Sequence, residues 1–285
     1  MMNINTIMVG LDLSPMDDHL IAYASFLAKK LDIKKVYFLH NVKKYAISEL
    51  FQEQLKELDL EQIIGDELSE KITNSFDAEV EWDTLIAEDP YTESIFNHVV
   101  NKYYIDMILV GNKIDYEGAG VLTDKLLRMV KCPLLIIPET STPKIDSIWT
   151  GTDFSRSCMK IYTTVDYIQE KINADIVAAH VYQIPAQFSP YVSADTMKAK
   201  LEKHSQERLD KFIQRMHKSY PIEEKVLDSK DATIAEKLIE CSQENNADLL
   251  MVADKGSNNI SSLMLGSVTD ELSTANAKIP IWVVK

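Results

Sequence analysis

The chain has 285 residues, 46% hydrophobic and 26% charged, an ordinary globular composition with length for two domains of about 100–200 residues each. A formal net charge of −14, with an isoelectric point near 4.9 and no Lys/Arg-rich run, argues against nucleic acid and anionic membranes as partners. Cys132, Cys158 and Cys241 follow no metal-clip or CxxC spacing, and so sparse a count fits a reducing compartment.

The opening residues Met1-Met2-Asn3-Ile4-Asn5 lead straight into a strand-like run. No basic region is followed by an apolar one, so no signal peptide is expected. No apolar stretch approaches the ~18 residues of a membrane-spanning helix, and the expected address is the cytoplasm. The first strand reads Ile7-Met8-Val9-Gly10-Leu11-Asp12-Leu13-Ser14. Leu20, Ala24, Leu27 and Leu31 then fall at i, i+4, i+7 and i+11, one apolar stripe of a helix. A strand over residues 36–40 ends on His40. Residues 45–76 predict a long polar helix, residues 105–111 a further buried strand, and residues 133–137 a closing strand led by Pro133.

The series then starts again. Ile148-Trp149-Thr150-Gly151-Thr152-Asp153-Phe154-Ser155 repeats the first strand, with Asp153 offset from Asp12 by 141 residues. Ile161, Val165, Ile168 and Ile172 repeat the helical stripe at the same offset, and residues 176–180 repeat the second strand and end on His180. Residues 193–219 predict the second polar helix, Ala247-Asp248-Leu249 matches Ile105-Asp106-Met107, and Pro280 leads the last strand. A proline-bracketed polar stretch, Pro138 to Pro143, reads as the linker. The chain is therefore two copies of one domain, over residues 1–140 and 145–285. Continuous apolar strands alternating with helices predict parallel sheets covered on both faces, about five strands and four helices per copy.

In such sheets a ligand binds beyond the carboxyl ends of the strands, where strand order reverses. That directs attention to the loops after the first and fourth strands. After the fourth strand of the second copy stand Ala253, Gly256, Gly266, Ser267 and Val268. Glycines let backbone N–H groups approach a phosphate, and Gly266-Ser267 precedes a helix whose N-terminus favours an anion. Ser267 with Asp270 resembles a capping box. These residues alone fit either a nucleotide site or an ordinary turn and cap.

The layout resembles the universal stress protein family in tandem form, across nearly the whole chain. ATP-binding members of that family carry Gly-x2-Gly-x9-Gly-Ser/Thr after the fourth strand. Here Gly256 is followed by nine residues and then Gly266-Ser267, with Ala253 in place of the first glycine. The resemblance implies two tandem adenine-nucleotide alpha-hydrolase-like (Rossmann-like) α/β domains, each a five-stranded parallel sheet. It implies ATP or AMP, with or without Mg²⁺, in the second domain. Thr152 and Asp153 would lie near adenine and ribose, and His180 and Val181 would line the adenine. Ala253, Gly256, Gly266, Ser267 and Val268 would hold ribose and phosphates. Phe154 is bulkier than the residue many members carry there and is expected to narrow the pocket. The first domain keeps Gly111 but has Ile114 at the second glycine and Val121 opposite Ser267, in a shorter loop that Asp115 and Glu117 make acidic. No nucleotide is expected there.

No HxH, HxxxH or HExxH pattern, Walker loop or GxGxxG occurs. The protein is therefore expected not to be an enzyme, and ATP hydrolysis, where present, to be slow. His40 and His180 read as packing and hydrogen-bonding at the strand exits, with a pocket-lining role as the alternative. Met251 and Met264 read as core. The functional expectation is a nucleotide-binding stress-response regulator with an unidentified protein partner. The alternative is an interaction scaffold of the same fold with both pockets filled by side chains. The resemblance further implies pairing of closing strands, which in a tandem chain would join residues 134–137 and 281–284 in a pseudo-dimer, with homodimerisation a further step.

Overall fold

Unalternated Val, Ile and Leu runs become the buried strands of each sheet, and a strand rich in charged residues becomes one of its edges. The computed structural model describes residues 3–42, 59–113, 120–184, 194–256 and 266–285. Contacts divide the chain into Met1–Lys144 and Ile145–Lys285. Unit 1 runs β1 (Thr6–Leu11), α1 (Met16–Leu31), β2 (Lys35–Asn41), α2 (Leu60–Ser75), β3 (Glu81–Ala87), α3 (Thr92–Tyr103), β4 (Met107–Asn112), α4 (Val121–Met129) and β5 (Leu134–Pro138). Unit 2 runs β6 (Ser147–Gly151), α5 (Arg156–Gln169), β7 (Asp175–Tyr182), α6 (Ala194–Met216), β8 (Ile222–Asp228), α7 (Ile234–Glu244), β9 (Leu249–Ala253), α8 (Ser267–Thr274) and β10 (Ile281–Val284).

Unit 1 has strand order β3-β2-β1-β4-β5, all parallel. Unit 2 has the order β8-β7-β6-β9-β10, also all parallel. Order reverses between β1 and β4 and between β6 and β9. Right-handed crossovers then put α1 and α2 on one face of the first sheet and α3 and α4 on the other. Ile7, Met107, Leu109 and Leu135 in unit 1, and Ile148, Leu249, Met251 and Trp282 in unit 2, are fully buried or nearly so.

The repeat extends to hydrogen bonds. Asp106, just before β4, accepts the N–H groups of Asn5 and Thr6 at 2.8 and 2.9 Å. Asp248, just before β9, accepts those of Asp146 and Ser147 at 2.8 and 3.0 Å. Each carboxylate pins the start of the first strand to the fourth and satisfies amides that a ladder end leaves unpaired. Ser155 caps α5 by accepting the Cys158 N–H at 3.0 Å, and Thr233 with Glu236 forms a capping box on α7.

Two expectations change. Ile172, the fourth member of the second helical stripe, lies beyond α5, because the Gln169 amide bonds both the carbonyl and the N–H of Ala174 and turns the chain toward β7. The second polar helix ends at Met216, short of 219; the first is helical over 60–75, and its residues 45–58 lie outside the described residues, as does Met264.

Candidate functional site

At the carboxyl ends of β6, β7 and β9 lies a cavity of about 270 Å³. Gly151, Thr152, Asp153 and Phe154 line it from β6, Ala179, His180 and Val181 from β7, and Arg208 from α6. Val252, Ala253, Lys255 and Gly256 close another side, and Gly266, Ser267, Val268 and Thr269 bring in the start of α8. The fold thus gathers Thr152, Asp153, His180, Val181, Ala253, Gly256, Gly266, Ser267 and Val268 around one space. The size is just under the ~300–1,000 Å³ usual for small-molecule sites.

The glycines are there for close approach. A Cβ on Gly266 would stand 3.2 Å from the Gly256 nitrogen and 3.3 Å from the Asp254 oxygen, and the Gly266 N–H donates to that same carbonyl at 2.8 Å. Among the described residues, one on Gly256 would meet the Asp153 carboxylate, at 3.2 Å. Gly256 is therefore a bare backbone position facing Asp153. Thr269 donates its hydroxyl to the Ala253 carbonyl at 2.7 Å and ties the first turn of α8 to the end of β9. The expected capping box does not form. Gly266 itself occupies the cap position, Ser267 is the first helical residue, and no side chain caps α8. The exposed Ser267 sits instead at the helix N-terminus, beside N–H groups that carry partial positive charge.

The opposite end of the cavity is rigid. Thr152 donates its N–H to Ala179 at 2.8 Å, and its hydroxyl bonds the Tyr162 hydroxyl at 2.8 Å. Tyr162 also bonds Thr150 at 2.9 Å, and burial pushes the Tyr162 phenol well above its ordinary value. Burial likewise pushes the Cys158 thiol up to about 12, which leaves it without nucleophilic character at neutral pH. His180 Nδ1 stands 2.7 Å from the Thr152 carbonyl, so Nδ1 carries the proton. Burial, with the nearby Arg208 charge, holds the His180 imidazolium below its ordinary range against the opposing pull of Thr152 and Asp153. Phe154 has φ of 64°, a left-handed conformation costly for a residue with a Cβ, and Leu13 repeats it at 64° in unit 1. The turn is thus a property of the fold. It lays the Phe154 ring 4.4 Å from the His180 ring, with the Arg208 guanidinium 4.4 Å from the Phe154 centroid.

The same place in unit 1 is built differently. A Cβ on Gly10 would fall 2.5 Å from the Phe96 ring, 2% exposed, whereas at Gly151 the smaller Leu238, equally buried, stands 3.2 Å from that position. At Gly111 the side chain of Met16 lies 2.9 Å from the corresponding position. The first glycine of the loop is therefore spent on packing against α1. The repeat puts Ala253 and Ser157 at these positions in unit 2, a larger strand residue and a smaller helix one. Lys113 pairs with Asp12, and although burial works against it, this bond and those from Ser14 hold the Asp12 carboxyl below its usual value. The buried Asp17 carboxylate accepts the N–H groups of Asp12 and Leu13 at 3.0 and 2.9 Å. Asp115, Glu117 and Ile114 lie outside the described residues. Gly120 is the cap of α4 with φ of 82°, and Val121 is its first residue, 55% exposed.

Arg208 was not legible as a site residue. A lone arginine on a polar helix has no signature, but the repeat supplies one: Leu209 aligns with Leu68, both fully buried, so Arg208 stands opposite Glu67. Charge at this helix position is reversed between the copies. Among the described residues, no group of three or more His, Cys, Asp or Glu could hold a metal ion, and no helix is long and apolar enough to cross a membrane.

The universal stress protein family model matches the chain twice, over residues 3–138 and 144–285. Among solved structures, a universal stress protein from Archaeoglobus fulgidus DSM 4304 is 14% identical with a TM-score of 0.65, covering 100% of this chain and 99% of that one. A putative universal stress protein from Pseudomonas aeruginosa UCBPP-PA14 is 12% identical with a TM-score of 0.63, covering 99% and 93%. At these identities the likeness is one of fold. No curated protein sequence matches.

Proposed function

The chain belongs to the universal stress protein family, and from that premise we propose that unit 2 binds an adenine nucleotide, ATP or AMP, and that the protein is a stress-response regulator acting through a protein partner. One observation carries the reading: the cavity joins an aromatic and polar end, at Asp153, Phe154 and His180, to a glycine-lined end at Gly256, Gly266 and the start of α8. The first end suits a base and ribose. The second offers bare backbone, the Lys255 ammonium and a helix N-terminus to phosphates. A cavity of about 270 Å³ accommodates the nucleoside and leaves the outer phosphates toward solvent. Any Mg²⁺ would then arrive on the phosphates.

Among the described residues the site brings no nucleophile beside a base, and Cys158 is buried and protonated. A binding role, without catalysis, fits these groups. In unit 1, the bulkier Phe96 packs on Gly10 where unit 2 has Leu238 on Gly151, and Lys113 pairs with Asp12, which fits a structural role for that copy.

The test is calorimetry on the full chain with ATP and AMP, alongside adenine release from acid-denatured purified protein. Binding, lost on substitution at Gly266 and retained on Phe96→Leu, is the expected result. No adenine absorbance and no heat at millimolar nucleotide would reject the reading.

A further inference from the structure

Helix α6 carries two pairs of side chains four residues apart, one on each flank of its buried ridge at Ser205 and Leu209. On one flank Arg208 lines the cavity with its guanidinium 4.4 Å from the Phe154 centroid, and the Phe212 ring lies 5.7 Å from the same ring. This flank backs the cavity wall. On the other stand Gln206 and Asp210. There the Gln206 side-chain amide donates to Asp210 Oδ1 at 2.7 Å and to Glu224 Oε2, on β8, at 3.2 Å, and the two carboxyls hydrogen-bond each other.

Two carboxylates only accept, so a hydrogen bond between them requires one proton. Among the described residues no lysine or arginine pairs with either group. From α5 the Tyr162 phenol faces Glu224, and burial keeps it protonated. From β7, Ala178 stands beside it in register. Along β8 itself Glu223 and Lys225 pair with each other, turned to the opposite face by the alternation of the strand. Burial and then Asp210 raise the Glu224 carboxyl to about 7, whereas bonds from Gln206 and Glu224 hold Asp210 below its usual value, so the proton resides on Glu224. Toward the start of α6, Lys198 pairs with Asp228 of β8 at 3.0 Å, an ion pair that does not titrate near neutrality.

We propose that the Asp210–Glu224 pair is a proton-operated clasp: with its proton it seats α6 on β8, and when the proton leaves to water the two carboxylates repel and loosen the helix that holds Arg208 and Phe212 against Phe154. The inference is independent of the nucleotide reading. The seated helix holds the proton more tightly than the loosened one. The clasp is therefore complete below the ordinary glutamate value of 4.5 and is lost as pH rises through 7. Gln206 cannot replace the proton, because its amide already donates to both carboxyls.

The experiment is hydrogen–deuterium exchange of the full chain at pH 6 and pH 8, read by mass spectrometry and corrected for the intrinsic dependence of amide exchange on pH. Three segments are compared: α6, the β6–α5 turn that carries Phe154, and α7 as the reference. From pH 6 to pH 8 protection of α6 and of the turn should fall about fivefold, the half-buried carboxyl being partly screened, while α7 stays constant. Glu224→Gln keeps a donor toward Asp210 without a charge, and should hold α6 at its pH 6 protection at both pH values. Asp210→Asn removes the other charge and should do the same. Equal α6 protection at both pH values in the wild-type chain, or an undiminished fall in both variants, would overturn the clasp. So would a fall shared equally by α7, which marks loosening of the whole unit. A fall in α6 with the turn unchanged would overturn the link to the cavity wall.

Discussion

Gly266 offers a sharp test because its neighbours are backbone atoms. The substitution Gly266→Ala adds a Cβ 3.2 Å from the Gly256 nitrogen, 3.3 Å from the Asp254 oxygen and 3.5 Å from the Lys255 Cα. None of these can swing aside as a side chain end could. The backbone at Gly266 is extended, with φ of −66° and ψ of 143°, so an alanine there is not strained by its own conformation. The cost comes from moving residues 254–256 by a few tenths of an ångström. Overpacking of this kind costs about 1–3 kcal/mol. At roughly 4 °C per kcal/mol for a domain of this size, the midpoint of thermal unfolding should fall by about 4–12 °C. The displaced loop carries Lys255 and Gly256, so nucleotide affinity should fall by about tenfold or more. Gly256→Ala is the control. Among the described residues its Cβ meets the free end of the Asp153 side chain and no backbone atom, so stability should change by less than about 0.5 kcal/mol while affinity still falls. Scanning calorimetry and titration with ATP on both variants give the four numbers. A Gly266→Ala variant with wild-type midpoint and wild-type affinity would refute the packing argument and the site together.

Phe96→Ala should destabilise unit 1 by about 3–5 kcal/mol, because Phe96 is 2% exposed and packs directly on Gly10; a denaturant midpoint corresponding to less than about 1 kcal/mol would contradict this. Glu224 is raised to about 7 by burial and by Asp210, and Gln206 donates to both carboxylates, at 3.2 Å to Glu224 and 2.7 Å to Asp210. The folded chain holds that proton more tightly than the unfolded one, so the associated stability is complete below the ordinary value of 4.5 and is lost as pH rises through 7. The carboxyl is only half-buried, and solvent screening reduces the effect to about 1 kcal/mol. Glu224→Gln should remove that slope, and an unchanged profile between pH 5 and 8 would count against the shared proton. Cys158, with its thiol at about 12, should resist a disulfide reagent at pH 8 until the protein unfolds, and rapid labelling of Cys158 in the native state would show that the β6–α5 turn opens.

Much of the fold was legible because it is written twice. The Asp12/Asp153 and Asp106/Asp248 pairs, the apolar stripes from Leu20 and Ile161, and the strand-ending histidines recur at nearly constant offset, and chance does not copy order, spacing and residue type together. The edge strands β3 and β8 were not singled out, since Glu81-Trp82-Asp83 and Ile222-Glu223-Glu224-Lys225 carry the charges of half-exposed strands and lack a buried run. Ser267 was read as a cap because its residue type suits one. The cap went to Gly266 because the chain must pass within contact distance of Gly256 there, and no local pattern records that approach.

By itself the sequence determined the repeated strand order, the buried strands and the loops in which a ligand site could lie, since these follow from periodicity and local backbone preference. Tertiary structure alone decided what each loop faces. It put the Phe96 ring on Gly10 in one copy and the smaller Leu238 on Gly151 beside the cavity in the other, pinned Lys113 to Asp12, and brought Arg208 from a polar helix onto Phe154. These contacts join residues tens of positions apart, and whether two side chains share a space depends on packing across the sheet, which no short window of sequence contains.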